Sequence, residues 1–314
     1  MKALNNIRNH AEENFIVLAL ILLILFFGLS AENFFSLATL TMVLNQLPAL
    51  TVVTVGMTLV LIVAGIDLSV GSVLGFSATV IGIAIVSWGL PLPIACVAGV
   101  LTGLLCGALN GGLVASFRLP AFIVTLGMLE MARGMAYIVN DSQTVYIGAS
   151  IQKIALPLPG LGVSAALIIA LAVVAGGQFL LTRTVMGRHL VAVGSNEQAA
   201  KMSGIDPRRY RFLVLALSGG LAGLGGMFNA AYLGSADPNA GFGLELSAIA
   251  AAVIGGTSLM GGRGSVLGAF AGVLIISILQ SGLAQIGVSE PSKRLITGAV
   301  IVIAVLIDRW RQKH

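Results

Sequence analysis

Apolar residues run along this chain in long blocks with few interruptions. Blocks fall at about 15–29, 40–63, 70–88, 92–115, 121–139, 163–181, 211–232, 245–259, 264–286 and 294–308. Most are near the roughly 20 residues that a helix needs to cross a hydrocarbon layer about 30 Å thick. The breaks are short and carry Pro, Gly or Asp: Gly65-Ile66-Asp67, Pro91 and Pro93, Arg118-Leu119-Pro120, Ser235 to Gly243, Gly261 to Gly264 and Ser289-Glu290-Pro291. Two are longer, from Asn140 to Gly162 and a polar island from Arg183 to Arg211. Outer-membrane strands would alternate apolar and polar residues; these blocks do not, and a helix satisfies its own backbone in lipid. The pattern predicts an all-α polytopic membrane protein of about ten transmembrane helices. It forms one domain over 1–314, with a segment at 183–210 between helices six and seven.

Composition sharpens this picture. The chain is 57% hydrophobic and 9% charged, against roughly 25% charged in soluble domains, so too few polar residues exist to cover a soluble surface. Basic residues cluster at Lys2 and Arg8, at Arg309, Arg311 and Lys313, and in the island at Arg183, Arg188, Lys201, Arg208, Arg209 and Arg211. Positive charge marks cytoplasmic loops, which puts the N-terminal segment 1–14, the island and the C-terminus on one side and requires an even number of crossings. Arg118 and Arg263 then also fall inside, and Lys153, Lys293 and Arg294 outside. Such charge marks topology and not nucleic-acid binding. Glu12 and Glu13 occupy the place of a signal peptide's basic region, so the first helix is expected to be retained. Trp88 and Trp310, near span ends, are expected to be interfacial anchors.

Glycines form ladders. Gly99, Gly103, Gly107 and Gly111 recur every four residues, as do Gly264, Gly268 and Gly272, and Gly71 with Gly75. Residues four apart share a helix face, and small residues on one face let helices approach closely in lipid. Gly71-Ser72-Val73-Leu74-Gly75 also recurs as Gly264-Ser265-Val266-Leu267-Gly268, an echo that suggests repeated halves.

Candidate chemistry is sparse. Gly-Lys never occurs, which excludes a phosphate loop, and His10, His189 and His314 are too scattered for a metal site. Cys96 and Cys106 lie about 15 Å apart on one helix, too far for a disulfide. No cofactor is expected on this chain, and no catalytic residue. Polar groups at membrane depth are the leads, because ionisable residues there usually have a job. Asp67 with Ser69 can cap the next helix or gate a path; Asn110 and Thr125 can line a path or tie helices together. Glu245 suits a helix N-terminus or can line or gate a path. Glu130 and Arg133, three apart, are expected to pair.

The island divides into two helical pieces, about Val185 to Val193 and Glu197 to Ser203. Gly194-Ser195-Asn196 joins them, Asn196 caps the second, and Gly204 ends it. Two short surface helices with small residues between them suit a cleft in a soluble protein; a membrane-surface amphipathic loop is the alternative.

Four stretches carry a resemblance: VGMTLVLIVAGIDLSVGSVLG (55–75), FIVTLGMLEMARG (122–134), GRHLVAVGSNEQAAKMSGID (187–206) and ELSAIAAAVIGGTSLMGGRGSVLGAFAG (245–272). On these the chain closely resembles the permease subunit of ribose-type monosaccharide ABC importers. The resemblance implies two pseudo-symmetric halves, a permease dimer in the bacterial inner membrane, a cytoplasmic ATPase that binds ATP and Mg, and a periplasmic sugar-binding protein. It also implies that Gly187, Arg188, Gly194, Asn196, Glu197, Ala200 and Gly204 belong to the segment that docks on the ATPase. The cargo stays open among pentoses, hexoses, polyols, nucleosides and branched-chain amino acids. An ion-coupled transporter built on Asp67 or Glu130 and a non-transporting scaffold are the rival classes.

Overall fold

The computed structural model describes residues 17–313, so the expectations for the segment 1–14 and for the side chain of Trp310 lie outside the described residues. The helices in chain order are α1 (Val17–Ser30), α2 (Leu37–Ile62), α3 (Val70–Val86), α4 (Leu92–Phe117), α5 (Ala121–Val139), the one-turn α6 (Ala149–Gln152), α7 (Ala165–Arg183), α8 (Val185–Ser195), α9 (Glu197–Met202), α10 (Pro207–Leu233), α11 (Leu244–Ile254), α12 (Val266–Gln285) and α13 (Glu290–Lys313). Two short strands, β1 (Val145–Tyr146) and β2 (Ser235–Ala236), pair antiparallel with Val145 opposite Ala236.

Local chemistry sets these boundaries. Ser36, Ser164, Thr184, Asn196, Asp206 and Ser265 each accept a backbone N–H in the first turn of the helix they precede, which satisfies a donor that the helix cannot. Pro207 opens α10, where its missing N–H does no harm. Gly234 closes α10 in the left-handed region, which suits a residue without a side chain.

Each of the ten predicted apolar blocks coincides with a helix. Among the described residues, six helices, α2, α4, α5, α7, α10 and α12, are long and apolar enough to cross a membrane. The 11 residues of α11 rise only about 16 Å. Trp88, just past α3, is exposed, as an interfacial anchor would be. Cys96 and Cys106 are both free on α4.

The centre of the bundle is α2. From Leu47 to Ile62 it is buried almost without interruption, and α10, α12, α7 and α11 surround it. Opposite that core, α4 lies along α10, and here the glycine ladder finds its purpose. A Cβ on Gly103 would stand 2.7 Å from the backbone nitrogen of Gly223, and one on Gly107 would stand 2.9 Å from Gly219. Gly111 meets the backbone of Phe212 in the same way. The other ladders also form seams: Gly268 and Gly272 of α12 face the Gly255 and Ala251 backbone of α11, and Gly71 and Gly75 seat the carbonyls of Gly241 and Ala240.

Two expectations are corrected. The Gly-Ser-Val-Leu-Gly echo does not mark equivalent local structure. The first copy lies inside α3, whose N-cap Ser69 precedes it, whereas the second supplies its own N-cap, Ser265. Ser72 and Ser265 therefore do different work despite the same neighbours. Arg133 does not pair with Glu130: its guanidinium donates to the carbonyls of Pro238 and Ala240, the latter at 2.9 Å, while Glu130 is exposed. Two loop carbonyls in an apolar setting need a donor, and the Arg133 guanidinium supplies it.

Valine at Gly107 should lower the melting temperature of the detergent-solubilised protein, by the equivalent of about 1–3 kcal/mol for overpacking. Gly112 on the same helix has open space around its position. Alanine there should be neutral or stabilising by about 0.5–1 kcal/mol, and scanning fluorimetry of both variants checks the contrast.

Candidate functional site

Two polar constellations stand out, one within the bundle and one at its end. The first grows from the break between α2 and α3. Asp67 is 1% exposed. Its Oδ1 accepts the backbone N–H of Ser69 at 3.0 Å and the Ser69 hydroxyl at 2.6 Å. Its Oδ2 accepts the hydroxyl of Ser218, on α10, at 2.8 Å. Asn110, on α4, donates its amide to Ser69 Oγ at 3.1 Å, and its own amide oxygen is buried without a partner among the described residues. Thr125, on α5, accepts the N–H of Leu68 and donates to the carbonyl of Ile66, each at 3.1 Å.

Asp67, Ser69, Asn110 and Thr125 are thus brought into one knot that ties the break to α4, α5 and α10. All four side chains are buried; Asp67, Ser69 and Asn110 bond to one another, and Thr125 bonds to the backbone beside them. The carboxylate meets only hydroxyls and a backbone amide; no cation hydrogen-bonds it among the described residues. Ser218 was not visible from sequence, since it lies 151 residues from Asp67. Glu245 stands apart, in the first turn of α11 against Gly71.

The second constellation is the island, folded as α8 and α9. Thr184 turns the chain after α7 and caps α8. Gly187 follows, so close to the Leu180 and Leu181 carbonyls that a side chain would collide with them. Leu190, Val193 and Ala200 are buried with Val214 of α10 in one apolar cluster, which fastens the segment to the bundle. The join is shorter than sequence predicts: Gly194 and Ser195 continue α8, because the hydrogen bond from Asn196 N–H to the Ala192 carbonyl keeps the turn going. Asn196 alone breaks it and caps α9. Gly204, at φ +80°, ends α9 as expected. Arg188, Asn196, Lys201 and Gly204 are exposed.

Glu197 anchors the join. One carboxylate oxygen lies 2.6 Å from Lys201 Nζ and the other 2.6 Å from Arg211 Nη2. Arg211 belongs to α10, 14 residues away, beyond the reach of any helical spacing rule. The hydrogen bond from Lys201, followed by the field and hydrogen bond of Arg211, holds the Glu197 carboxyl below its ordinary range, against a smaller opposing effect of burial.

Gly194 sits where three breaks meet. A Cβ there would collide with the Ile62 carbonyl at the end of α2 and stand 2.6 Å from the nitrogen of Gly262. Gly262 itself donates to that same Ile62 carbonyl at 2.9 Å, and Gly261 packs on Ala64. The island, the α2–α3 break and the α11–α12 loop therefore share one backbone junction. Beside it, Gln178 of α7 offers its side-chain oxygen to the N–H groups of Val266 and Leu267, at 3.0 and 3.3 Å. A cavity of about 270 Å³ opens between the α2–α3 break, the α4–α5 corner and the start of α10, with Arg118 and Arg211 among its lining residues. No group of three or more His, Cys, Asp or Glu among the described residues comes together to hold a metal.

Because the Glu197 pKa is lowered on folding, its stabilising effect is complete above the ordinary value near 4.5 and is lost as pH falls through the lower folded value. Glu197→Gln should therefore melt earlier than the parent at pH 7. The gap should narrow below about pH 4.3, in melting curves taken across that range.

A family profile described as "branched-chain amino acid transport system / permease component" matches residues 39–305. The ribose import permease protein RbsC of Escherichia coli (strain K12) is 37% identical over 300 residues, covering 94% of this chain and 93% of that protein. The fructose import permease protein FrcC of Rhizobium meliloti is 36% identical, over 95% of this chain and 85% of its own length. The autoinducer 2 import system permease protein LsrC of Escherichia coli (strain K12 / DH10B) is 36% identical, over 93% and 85%. The helices that can span a bilayer and the match along nearly the whole sequence lead to one conclusion: this chain is a multi-pass membrane protein that belongs to the permease family of binding-protein-type ABC importers.

Proposed function

We propose that this chain is the membrane subunit of an ATP-driven importer for a monosaccharide, a ribose-like pentose or a hexose. In this reading it crosses the inner membrane about ten times, in two related halves, with both termini and the α8–α9 segment in the cytoplasm. It works with a second permease copy, a cytoplasmic ATPase that binds ATP and Mg, and a periplasmic binding protein. The observation that carries the proposal is the junction at Gly194. The island is fastened by Leu190, Val193, Ala200 and the Glu197–Arg211 pair, and Gly194 touches the end of α2 with no side chain between.

A partner gripping the exposed residues Arg188, Asn196, Lys201 and Gly204 would displace α8 and α9 as it closes on ATP. The push would reach Ile62 directly, then the break at Gly65-Ile66-Asp67, then α4, α5 and α10 through Asn110, Thr125 and Ser218. Opening that knot on one side and resealing it on the other is how access would alternate. The weakly polar knot suits brief passage of a neutral polyhydroxyl solute, with high affinity residing in the binding protein.

The similar proteins import sugars or autoinducer 2 by name, whereas the family description names branched-chain amino acids; leucine is thus the natural competing cargo. The test is uptake of radiolabelled pentoses, hexoses and leucine into proteoliposomes holding the permease, its ATPase and its binding protein. One sugar should accumulate with ATP, and Gly194→Val should reduce that uptake at least about tenfold while the complex still assembles. Uptake that ignores ATP and follows a proton or sodium gradient would overturn the proposal. Uptake of leucine alone would replace the cargo.

A further inference from the structure

The cavity beside the Asp67 break has an uneven chemistry. Val60, Val63, Val114 and Val214 form an aliphatic part of its wall, Arg118 and Arg211 also line it, and no carboxylate residue does. Arg211 divides its charge with Glu197. Arg118 makes no hydrogen bond or ion pair among the described residues and is exposed.

The backbone at Arg118 adds a second oddity. It closes α4 in the left-handed region, at φ +56°, a conformation that glycine adopts freely and other residues adopt at a cost. Turning the chain does not call for an arginine here. At the same corner, Phe117, Leu119 and Phe122 are 70%, 44% and 50% exposed, and the last two line the cavity. Exposed apolar groups next to the unpaired Arg118 suit a cavity mouth at the boundary between hydrocarbon and water. Basic pockets between helices at that depth suit the phosphates of anionic lipids, and a guanidinium's fork matches a phosphate's oxygens.

We propose that Arg118 and Arg211 bind a phosphate group in this cavity, and that its aliphatic walls favour a phosphate carried by a membrane lipid. Placing the site on the cytoplasmic face rests on the orientation proposed above; the binding itself does not. A phosphate drawn to Arg211 competes with Glu197 for the same guanidinium, so occupancy would loosen the anchor of the α8–α9 segment. Membrane composition would then set how firmly the docking segment is held.

The purified full-length permease in neutral detergent, titrated with phosphatidylglycerol, phosphatidylcholine or inorganic phosphate and followed by thermal shift, tests this without any uptake assay. A failed transport reading therefore leaves the result interpretable. Phosphatidylglycerol should raise the melting temperature saturably and phosphatidylcholine should not. Arg118→Gln should weaken the apparent affinity at least about tenfold, the loss of one charge-assisted contact. Lys153→Gln, an exposed cation in another loop, should leave it unchanged. If inorganic phosphate alone reproduces the Arg118-dependent shift, the site stands and its ligand is a soluble phosphate. Equal affinity in Arg118→Gln and the parent, or equal weakening by both substitutions, would overturn the proposal.

Discussion

Everything in this protein depends on how closely its backbones can approach. In hydrocarbon, an apolar side chain gains little by turning inward, because lipid is as apolar as a neighbouring leucine. Association must come from contact area and dispersion, which fall off steeply with any gap. At Gly103, Gly107, Gly219 and Gly223 the two chains of the α4–α10 seam lie so near that one methyl group would not fit. The same rule, at Gly255 with Gly268 and at Gly194 with Ile62, builds the other load paths of the bundle. A soluble protein of this size would be held by a large-residue core; here alanine and glycine carry the tightest contacts.

A buried carboxylate in such a setting has to be satisfied inside the fold. The knot around Asp67 does this with hydroxyls and a backbone amide in place of a cation. A carboxylate held by several weak donors can shed them one at a time as helices shift, whereas a buried ion pair is costly to break. The arrangement is compatible with movement in a way that a salt bridge at the same depth would not be. The island uses true ion pairs at the half-exposed Glu197, where partial exposure to solvent lowers their strength and their cost alike.

What the sequence disclosed follows a physical line between local and distant causes. Helix positions, the caps at Asn196 and Gly204, and the glycine face of α4 depend on residues within one or two turns, and these were legible. The grouping of Asp67, Ser69, Asn110 and Thr125 was legible only as a set of polar residues near breaks; that all four converge on residues 66–69 is a tertiary fact. Ser218, Arg211 and the Ile62 carbonyl left no trace, because their partners lie 151 residues away, 14 residues away across a turn, or on a backbone atom common to every residue. The Glu130–Arg133 pairing failed for a related reason. Spacing put both on one face, but carbonyls more than a hundred residues along claimed the arginine.

The side-chain oxygen of Gln178 carries one last implication. It serves two N–H groups at the start of α12, one of them on the fully buried Val266. Separating α7 from α12 would leave that buried donor facing apolar atoms, at a cost of several kcal/mol. The two helices are in effect riveted, and any rearrangement of the bundle carries them together as a single slab.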